Sequence, residues 1–178
     1  MKVLSLFDGI SGAAQALKEL GLECDYYASE IDKYAIQISK ANHPDIIQIG
    51  DVKGLVVEDG YIFHNQNNDP MKNGGSFKAD IDLLVAGFPC QSFSIAGNQK
   101  GFGDERGQLF FDLLRILNQV KPKYFIFENV FSMGKANKAF IDEKLGIGHI
   151  MINSALVTAQ CRKRIYWVGK LVNMSKSK

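Results

Sequence analysis

One cysteine of this chain stands where a nucleophile could act. Cys90 follows Pro89 shortly after the apolar run at residues 81–86, which has the length and composition of a buried parallel strand. In open α/β sheets, ligands and chemistry lie at the carboxyl ends of such strands. Cys90 is therefore a candidate nucleophile, although an isolated cysteine is more often a small packed hydrophobic residue.

A carboxylate follows a second apolar run. Residues 124–127 read Tyr-Phe-Ile-Phe and lead directly into Glu128 and Asn129. We expect a strand that delivers this acid and amide to the sheet edge that carries Cys90. An acid there is desolvated unless it is paired, so it can serve as a proton donor or hydrogen-bond partner. The alternative is a solvated loop acid, and the apolar residues around Glu128 argue against it.

The first apolar run ends in a glycine turn that could hold a ligand. Residues 3–6 lead through Gly9 to Gly12 and then to an amphipathic stretch at residues 13–20. Glycines let the backbone approach a ligand, and a helix start offers free N–H groups. Glu30 ends a second short strand about twenty residues later, where α/β nucleotide sites hold a ribose. A packing turn and a first-turn helix acid are the ordinary structural alternatives.

Strand and helix patterns alternate along the chain, which predicts an α/β, Rossmann-like doubly wound fold with a mixed, mostly parallel sheet. Residues 53–80 break the alternation: a small hairpin around Glu58-Asp59-Gly60 is followed by a polar loop. We favour an inert surface insertion there over one that contacts DNA or a partner. The predicted strands lie near 2–6, 24–29, 46–50, 81–86, 123–128, 148–154 and 164–170, and the helices near 12–20, 31–41, 107–119 and 135–145.

Length and composition predict one soluble domain at residues 1–178. The chain has 46% hydrophobic residues, no apolar run long enough to span a membrane and no signal peptide. Its three widely spaced cysteines give neither a metal signature nor a disulfide framework, which favours a reducing cytoplasm and no metal. The net charge is only +2, but basic residues concentrate in the last third and in the tail at 171–178.

The motifs together resemble the DNA (cytosine-5) methyltransferases, from residue 2 to about residue 170. The separation of Pro-Cys-Gln from Glu-Asn-Val, followed by Gln-x-Arg-x-Arg, is highly specific to that family. The matching elements are Phe7-Asp8-Gly9-Ile10-Ser11-Gly12, Glu30, Gly50-Asp51-Val52, Gly87-Phe88-Pro89-Cys90-Gln91, residues 100–111, Glu128-Asn129-Val130 and Gln160-Cys161-Arg162-Lys163-Arg164.

The resemblance implies transfer of a methyl group to C5 of cytosine in DNA. Cys90 corresponds to the thiolate that adds to C6 of the ring, and Glu128 to the acid that hydrogen-bonds N3 and the exocyclic amine. Arg162 and Arg164 match the arginines that hold the base and its phosphate neighbourhood and help to keep the thiol ionised. Because C5 is inaccessible within a duplex, the target base must be flipped out.

The resemblance also assigns a DNA-contacting loop and a cofactor site. Residues 92–106 are similar to the loop that closes over the flipped base. The implied nucleic-acid contacts are Gln91, Ser92, Ser94, Lys100, Arg106, Arg162 and Arg164. The implied cofactor is S-adenosyl-L-methionine, with contacts from Phe7, Asp8, Gly9, Gly12, Glu30, Ile31, Asp51, Val52, Pro89 and Leu109.

The chain departs from the family pattern after the arginine motif. Full-length members continue with a target recognition region and a last helix that packs back on the sheet, whereas this sequence ends 14 residues after Arg164. We therefore expect a short form without a target recognition domain, and an exposed apolar flank of the sheet that a second chain or a homo-oligomer covers.

Three interpretations remain open. The chain could be a partner-dependent methyltransferase, a minimal methyltransferase with loose sequence preference, or a catalytically silent remnant that binds DNA or a partner. DNA is favoured over RNA because the Cys-Phe-Thr tripeptide of the related transfer-RNA enzymes is absent. The expected location is the cytoplasm of a bacterium or of a viral host.

Overall fold

The computed structural model describes residues 1–64, 75–89 and 105–171. Strands and helices alternate through most of this length, as the sequence pattern predicts. The strands are β1 (Lys2–Leu6), β2 (Asp25–Ser29), β3 (Ile47–Gln48), β4 (Val56–Glu58), β5 (Tyr61–His64), β6 (Gly75–Lys78), β7 (Leu83–Ala86), β8 (Tyr124–Val130), β9 (Ile150–Asn153) and β10 (Lys163–Lys170), and the helices are α1 (Gly12–Glu19), α2 (Lys33–Asn42), α3 (Glu105–Val120) and α4 (Lys135–Leu145).

Seven strands form one mixed sheet in the order β3-β2-β1-β7-β8-β10-β9. The pairs from β3 to β8 are parallel, and β10 runs antiparallel to both β8 and β9. The predicted mostly parallel, Rossmann-like sheet is therefore confirmed. Since β1, β2, β7 and β8 are all parallel, their carboxyl ends meet at one edge, where α/β sheets bind their ligands.

Helices pack on both faces of this sheet, which explains the nearly continuous apolar runs of the central strands. On one face, Ala14 and Leu17 of α1 contact the apolar side of the strands. On the other face, α3 and α4 cover the strands from β1 to β10 in a larger core. Buried members of that core include Leu4, Leu84, Phe110, Leu113, Ile116, Phe127, Ile141 and Trp167.

The helix after β2 begins two residues later than predicted. Asp32 is its N-cap, and the Asp32 side chain accepts hydrogen bonds from Tyr34 N at 2.8 Å and Ala35 N at 3.0 Å. Because these bonds fix the first turn after residue 32, Glu30 lies before the helix. The alternative of a first-turn helix acid is therefore wrong for Glu30.

The interruption at residues 53–80 forms a second, three-stranded sheet in the order β4-β5-β6. The predicted hairpin is confirmed: Glu58 pairs with Tyr61, and Asp59 and Gly60 both have positive φ, as a two-residue turn requires. The prediction of a loop after β5 is wrong at residues 75–78, which pair with β5 as β6. Residues 65–74 lie outside the described residues.

This small sheet packs against the main core. Leu55 and Ile62 are buried, and Phe77 stacks on Tyr27 of β2 with ring centroids 3.8 Å apart. Ile62 of β5 and Phe77 of β6 supply this contact, so the described part of the insertion is a structural element of the fold. The prediction of an inert surface loop is corrected to that extent.

One half of one sheet face remains exposed. Cross-strand pairing puts Glu128, Tyr166 and Ile150 in one row, so these residues share a face. Val168 of β10 lies on this face as well and is 55% exposed. Ile150 and Ile152 of the edge strand β9 are also exposed apolar residues there.

None of the described helices is both long and apolar enough to cross a membrane.

The pairing of β10 with β8 depends on a glycine that makes room for an aromatic ring. Gly169 lies opposite Phe125, and a Cβ at residue 169 would lie 2.2 Å from a ring carbon of Phe125. We predict that Gly169→Ala lowers the free energy of unfolding by about 1–3 kcal/mol, because the buried Phe125 ring must shift. Urea denaturation followed by circular dichroism measures this change.

Gly148→Ala is the matched control, since a Cβ there meets no atom within 4 Å. The control should change the free energy of unfolding far less. Equal stabilities for the two variants would contradict the assigned packing of Phe125 against Gly169.

Candidate active site

Three segments of the chain meet at the carboxyl edge of the main sheet. The parallel register of β7 and β8 pairs Ala86 with Phe127, so Gly87 and Glu128 follow side by side. A Cβ at Gly87 would lie 3.7 Å from Glu128 Oε2 and 3.9 Å from the Phe7 carbonyl oxygen. The glycine turn, the segment before Cys90 and the acid of β8 are therefore neighbours, as the sequence predicts for the ends of parallel strands.

Glu128 is paired with an arginine from the antiparallel strand β10. Arg164 Nε lies 2.6 Å from Glu128 Oε1, and the two side chains are 19% and 32% exposed. The guanidinium also donates from Nη1 to the Lys163 carbonyl oxygen at 3.0 Å. Arg164 contacts Oε1 of Glu128, and the other carboxylate oxygen, Oε2, lies nearer to Gly87. The acid is thus oriented, with one oxygen directed toward the segment that leads to Cys90.

Asn129 connects β8 to the segment that follows β7. Its side chain is buried, its Nδ2 donates to the Phe88 carbonyl oxygen at 2.9 Å, and its Oδ1 accepts from Val130 N at 2.8 Å. Phe88 is itself buried, near the rings of Phe110 and Trp167. This arrangement fixes the backbone two residues before Cys90. The sequence pointed to Asn129 as a strand-end amide but gave it no role.

Tyr166 is a site residue that the sequence reasoning missed. It pairs with Glu128 in the β8–β10 register and lies on the same face. Burial raises the pKa of the Tyr166 phenol, and the negative charge of Glu128 raises it further, while Arg164 and Arg162 act in the opposite direction. The phenol therefore stays protonated at neutral pH and can serve only as a neutral hydrogen-bonding group. The available signal was the spacing in the predicted strand: Tyr166 stands two residues after Arg164, so the two side chains share one face.

The two predicted arginines have different positions. Arg164 is turned toward Glu128, whereas Arg162 is exposed and precedes β10. The backbone of Arg162 is fixed by Asn153 Oδ1, which accepts from Arg162 N at 3.1 Å, and by Ser154 N, which donates to the Arg162 carbonyl oxygen at 3.2 Å. Arg162 thus presents its charge to solvent just before β10, which suits a contact with a large anionic ligand.

A second carboxylate lies beside the glycine turn. Glu30 Oε2 accepts from Gly9 N at 2.7 Å, and Oε1 accepts from Ile31 N at 2.7 Å and Asp32 N at 2.9 Å. A carboxylate oxygen accommodates about two hydrogen bonds, so Oε1 is saturated and Oε2 can accept one more. Glu30 is therefore oriented to receive a hydroxyl donor, which matches the chemistry of a ribose.

The surroundings of Glu30 suit a planar, partly apolar ligand. Ile31 is 73% exposed next to the carboxylate, so its aliphatic side chain is accessible to a ligand there. Asp51 caps a short 3₁₀ turn at Val52–Gly54 through Lys53 N at 2.9 Å. Arg115 of α3 donates to the Val52 and Leu55 carbonyl oxygens and holds this turn in place.

The other predicted cofactor residues lie at the same edge or close to it. Gly12 begins α1, Pro89 is exposed after β7, and Leu109 is half-buried on α3. Asp8 differs from them because its carboxylate accepts two hydrogen bonds from within the protein. Tyr26 Oη donates to Asp8 Oδ1 at 2.7 Å, and Ser11 Oγ donates to Asp8 Oδ2.

Comparison with known proteins assigns this arrangement to a family. The chain matches the family model "C-5 cytosine-specific DNA methylase" over residues 1–177. It belongs to that family. The edge that carries Glu128, Arg164 and Gly87 is therefore the candidate active site of a cytosine-specific methylase, and the family predicted from the motifs is confirmed.

Two bacterial and phage methylases illustrate the similarity. The chain is 35% identical over 193 residues to the Type II methyltransferase M.NgoBV of Neisseria gonorrhoeae, covering 96% of this chain and 41% of that protein. It is 36% identical over 182 residues to the orphan methyltransferase M.Rho11sI of Bacillus phage rho11s, covering 95% of this chain and 33% of that protein. The chain thus spans less than half the length of these relatives.

A solved structure shares the fold. A prophage-encoded Escherichia coli protein described as a DNA modification methyltransferase superposes with a TM-score of 0.70 at 24% identity, covering 96% of this chain and 47% of that one. This likeness shows that the two chains share the fold.

Several predicted methylase residues lie outside the described residues. They are the proposed nucleophile Cys90 and the polar residues Gln91, Ser92, Ser94 and Lys100. The side chain of Arg106 also lies outside the described part of the structure. The roles predicted for these six residues therefore stay predictions.

The Asn129 contact makes a testable prediction about the segment before Cys90. Asn129→Asp replaces the donor to the Phe88 carbonyl with an acceptor, which leaves a buried carbonyl unpaired beside a carboxylate. We expect the free energy of unfolding to fall by about 1–3 kcal/mol at neutral pH. Urea denaturation measures it, and the exposed α3 residue Asn118 supplies the control Asn118→Asp. A loss no larger than in the control would mean that Asn129 does not hold Phe88.

Proposed function

We propose that this chain transfers a methyl group from S-adenosyl-L-methionine to C5 of cytosine in DNA. The observation that carries the proposal is the Glu128–Arg164 pair beside Gly87, three residues before Cys90. An oriented acid next to a cysteine-bearing segment is the arrangement that nucleophilic addition to a pyrimidine requires. Membership of the methylase family supports the same reaction.

The glycine turn and Glu30 would hold the cofactor, which supplies a methyl group activated on a sulfonium. Glu30 Oε2 has one acceptor position left for a ribose hydroxyl, and the exposed Ile31 side chain offers an apolar surface to adenine. Phe7 and Gly9 have positive φ, so the backbone turns sharply where a ligand would approach. The remaining proposed contacts are Asp8, Gly12, Asp51, Val52, Pro89 and Leu109.

At the cytosine ring, each residue has a distinct task. The Cys90 thiolate forms a bond to C6, which makes C5 nucleophilic toward the methyl group, and loss of the C5 proton then releases the cysteine. The Glu128 carboxyl group would accept from the exocyclic amine and, when protonated, would donate to N3 as negative charge develops there. Gly87 carries no side chain, so the ring can approach the carboxylate closely. Base flipping is required because C5 is inaccessible in a duplex.

A basic, aromatic surface next to Glu128 supports DNA as the substrate. Phe131 follows β8 and is exposed, with Lys138 Nζ 4.4 Å and Lys163 Nζ 5.9 Å from its ring centroid. Arg162 adds a further exposed charge at the start of β10. Lysine and arginine side chains at such a surface position phosphates without reading sequence.

Methyl transfer tests the proposal directly. We expect the chain to transfer label from radioactive S-adenosyl-L-methionine to plasmid DNA. Glu128→Gln should lower the rate about a hundredfold, because an amide cannot transfer a proton to N3 as negative charge develops there. Glu143→Gln is the matched control, since Glu143 is an exposed acid of α4, and this variant should retain the full rate.

A covalent trap distinguishes the enzyme from a silent remnant. With DNA that contains 5-fluorocytosine, the chain should form an adduct stable to denaturing electrophoresis, and Cys90→Ala should abolish it. If the chain binds DNA and cofactor but forms no adduct and transfers no methyl group, the alternative of a catalytically silent DNA- or partner-binding protein replaces our proposal.

The exposed half of the sheet face supports a partner. We propose that a second chain, either another copy or a different polypeptide, covers Val168, Ile150 and Ile152. Light scattering should give a mass above 19.8 kDa at high concentration, and Val168→Lys should return it to the monomer value. Leu20→Lys is the control, because Leu20 is an exposed leucine at the end of α1. A monomer that binds no hydrophobic dye would contradict the proposal.

A further inference from the structure

The glycine turn adopts a backbone conformation that needs support. Phe7, Gly9 and Ser11 have φ values of 56°, 61° and 64°, so three alternate residues lie in the left-handed region. Two of them carry side chains, which makes this conformation unfavourable unless surrounding contacts enforce it. The contacts that enforce it therefore determine where the backbone of the turn can meet a ligand.

A chain of buried hydroxyl groups ends on the carboxylate of Asp8. Ser11 Oγ donates to Asp8, so it must accept from Ser39 Oγ, which lies 2.6 Å away. Ser39 Oγ in turn accepts from Gln48 Nε2 at 3.3 Å. From the other side, Tyr26 Oη donates to Asp8 at 2.7 Å. Every hydrogen bond in this series points toward the same carboxylate.

The members of this network are buried and come from separate elements. Ser11, Ser39 and Tyr26 are all buried, although Ser11 precedes α1, Ser39 belongs to α2 and Tyr26 to β2. Burial raises the pKa of Tyr26, and the charge of Asp8 raises it further, so the phenol remains a donor. A buried polar network with all its donors directed to one acceptor holds its residues rigidly.

The network adjoins the group that we assign to the cofactor. Asp8 N donates to the Ser29 carbonyl oxygen at 3.2 Å, and the next residue, Gly9, donates to Glu30 Oε2 at 2.7 Å. A shift of Asp8 would therefore move the N–H that orients the Glu30 carboxylate. The Asp8 carboxylate itself accepts from one protein hydroxyl on each oxygen.

We infer that Tyr26, Asp8 and Ser11 are positioning residues that fix the glycine turn, and through Gly9 fix Glu30, for binding of the methyl donor. This inference rests on the proposed function and deepens it. The network acts on cofactor affinity and leaves the chemistry at cytosine unchanged, since none of its members approaches Glu128 or Arg164 in the described contacts.

Tyr26→Phe tests the inference because it removes one hydroxyl and keeps the buried ring. We expect the Kd and KM for S-adenosyl-L-methionine to rise about tenfold, with kcat at saturating cofactor within twofold of the unmutated value. Amide hydrogen exchange at residues 8–12 should become faster. Tyr34→Phe is the control, because Tyr34 is an exposed tyrosine of α2, and it should change none of these quantities.

A double variant identifies the network as the cause. Adding Ser11→Ala to Tyr26→Phe should raise the Kd by less than the product of the two single effects, since both hydroxyls act on one carboxylate. A lower free energy of unfolding with unchanged KM would reduce these residues to a structural role and overturn the inference, as would a lower kcat with unchanged KM.

Hydrogen exchange separates this inference from the proposed function. If the unmutated chain binds no methyl donor, the proposed function fails, and the exchange rates at residues 8–12 still report whether Tyr26 fixes the turn. Unchanged exchange in Tyr26→Phe would overturn the positioning role whatever the activity of the chain.

Discussion

The parallel pairing of β7 with β8 is the constraint on which the candidate site depends. Because both strands leave the sheet at the same edge with Ala86 opposite Phe127, Gly87 and Glu128 must be neighbours at about the 4.8 Å spacing of adjacent strands. β10 runs the other way, so its first residues, including Arg164, begin at that edge. The sheet order thus brings a carboxyl group, a guanidinium cation and a glycine together.

The three acids at this edge, Glu128, Glu30 and Asp8, have partners of different kinds, which separates their roles. Glu128 has an arginine partner, which orients the carboxylate. Glu30 instead accepts backbone N–H groups, and Asp8 accepts hydroxyl groups. Within the described part of the chain, Glu128 is thus the one of these three acids that forms an ion pair with an arginine. That difference fits a ring with developing charge at one site and uncharged hydroxyls at the other.

Sequence patterns predicted most of the main sheet because its strands are buried on both faces and therefore read as continuous apolar runs. β6 was missed because its four residues, Gly-Ser-Phe-Lys, contain only one apolar side chain and so give no strand pattern. It forms a strand because it pairs with β5. The Glu128–Arg164 pair was also beyond prediction, since it depends on the antiparallel register of β10. The motif identified Asp8, but the direction of its side chain depends on Tyr26 and Ser11, whose buried hydroxyls carry no sequence signal of their own.

The two halves of the sheet differ in how completely the described residues enclose them. Around the glycine turn, α1 packs on the strands and a buried network holds the backbone, so the proposed cofactor contacts there are fixed by groups of this chain. On the β8–β10–β9 half, Val168 and Ile150 are exposed and the charged groups near Glu128 are lysines and arginines. Such groups hold phosphates but do not distinguish bases. Selectivity for a DNA sequence would therefore have to come from groups other than those that orient the acid, because the ion pair and the glycine turn are proposed to contact the target base and the methyl donor.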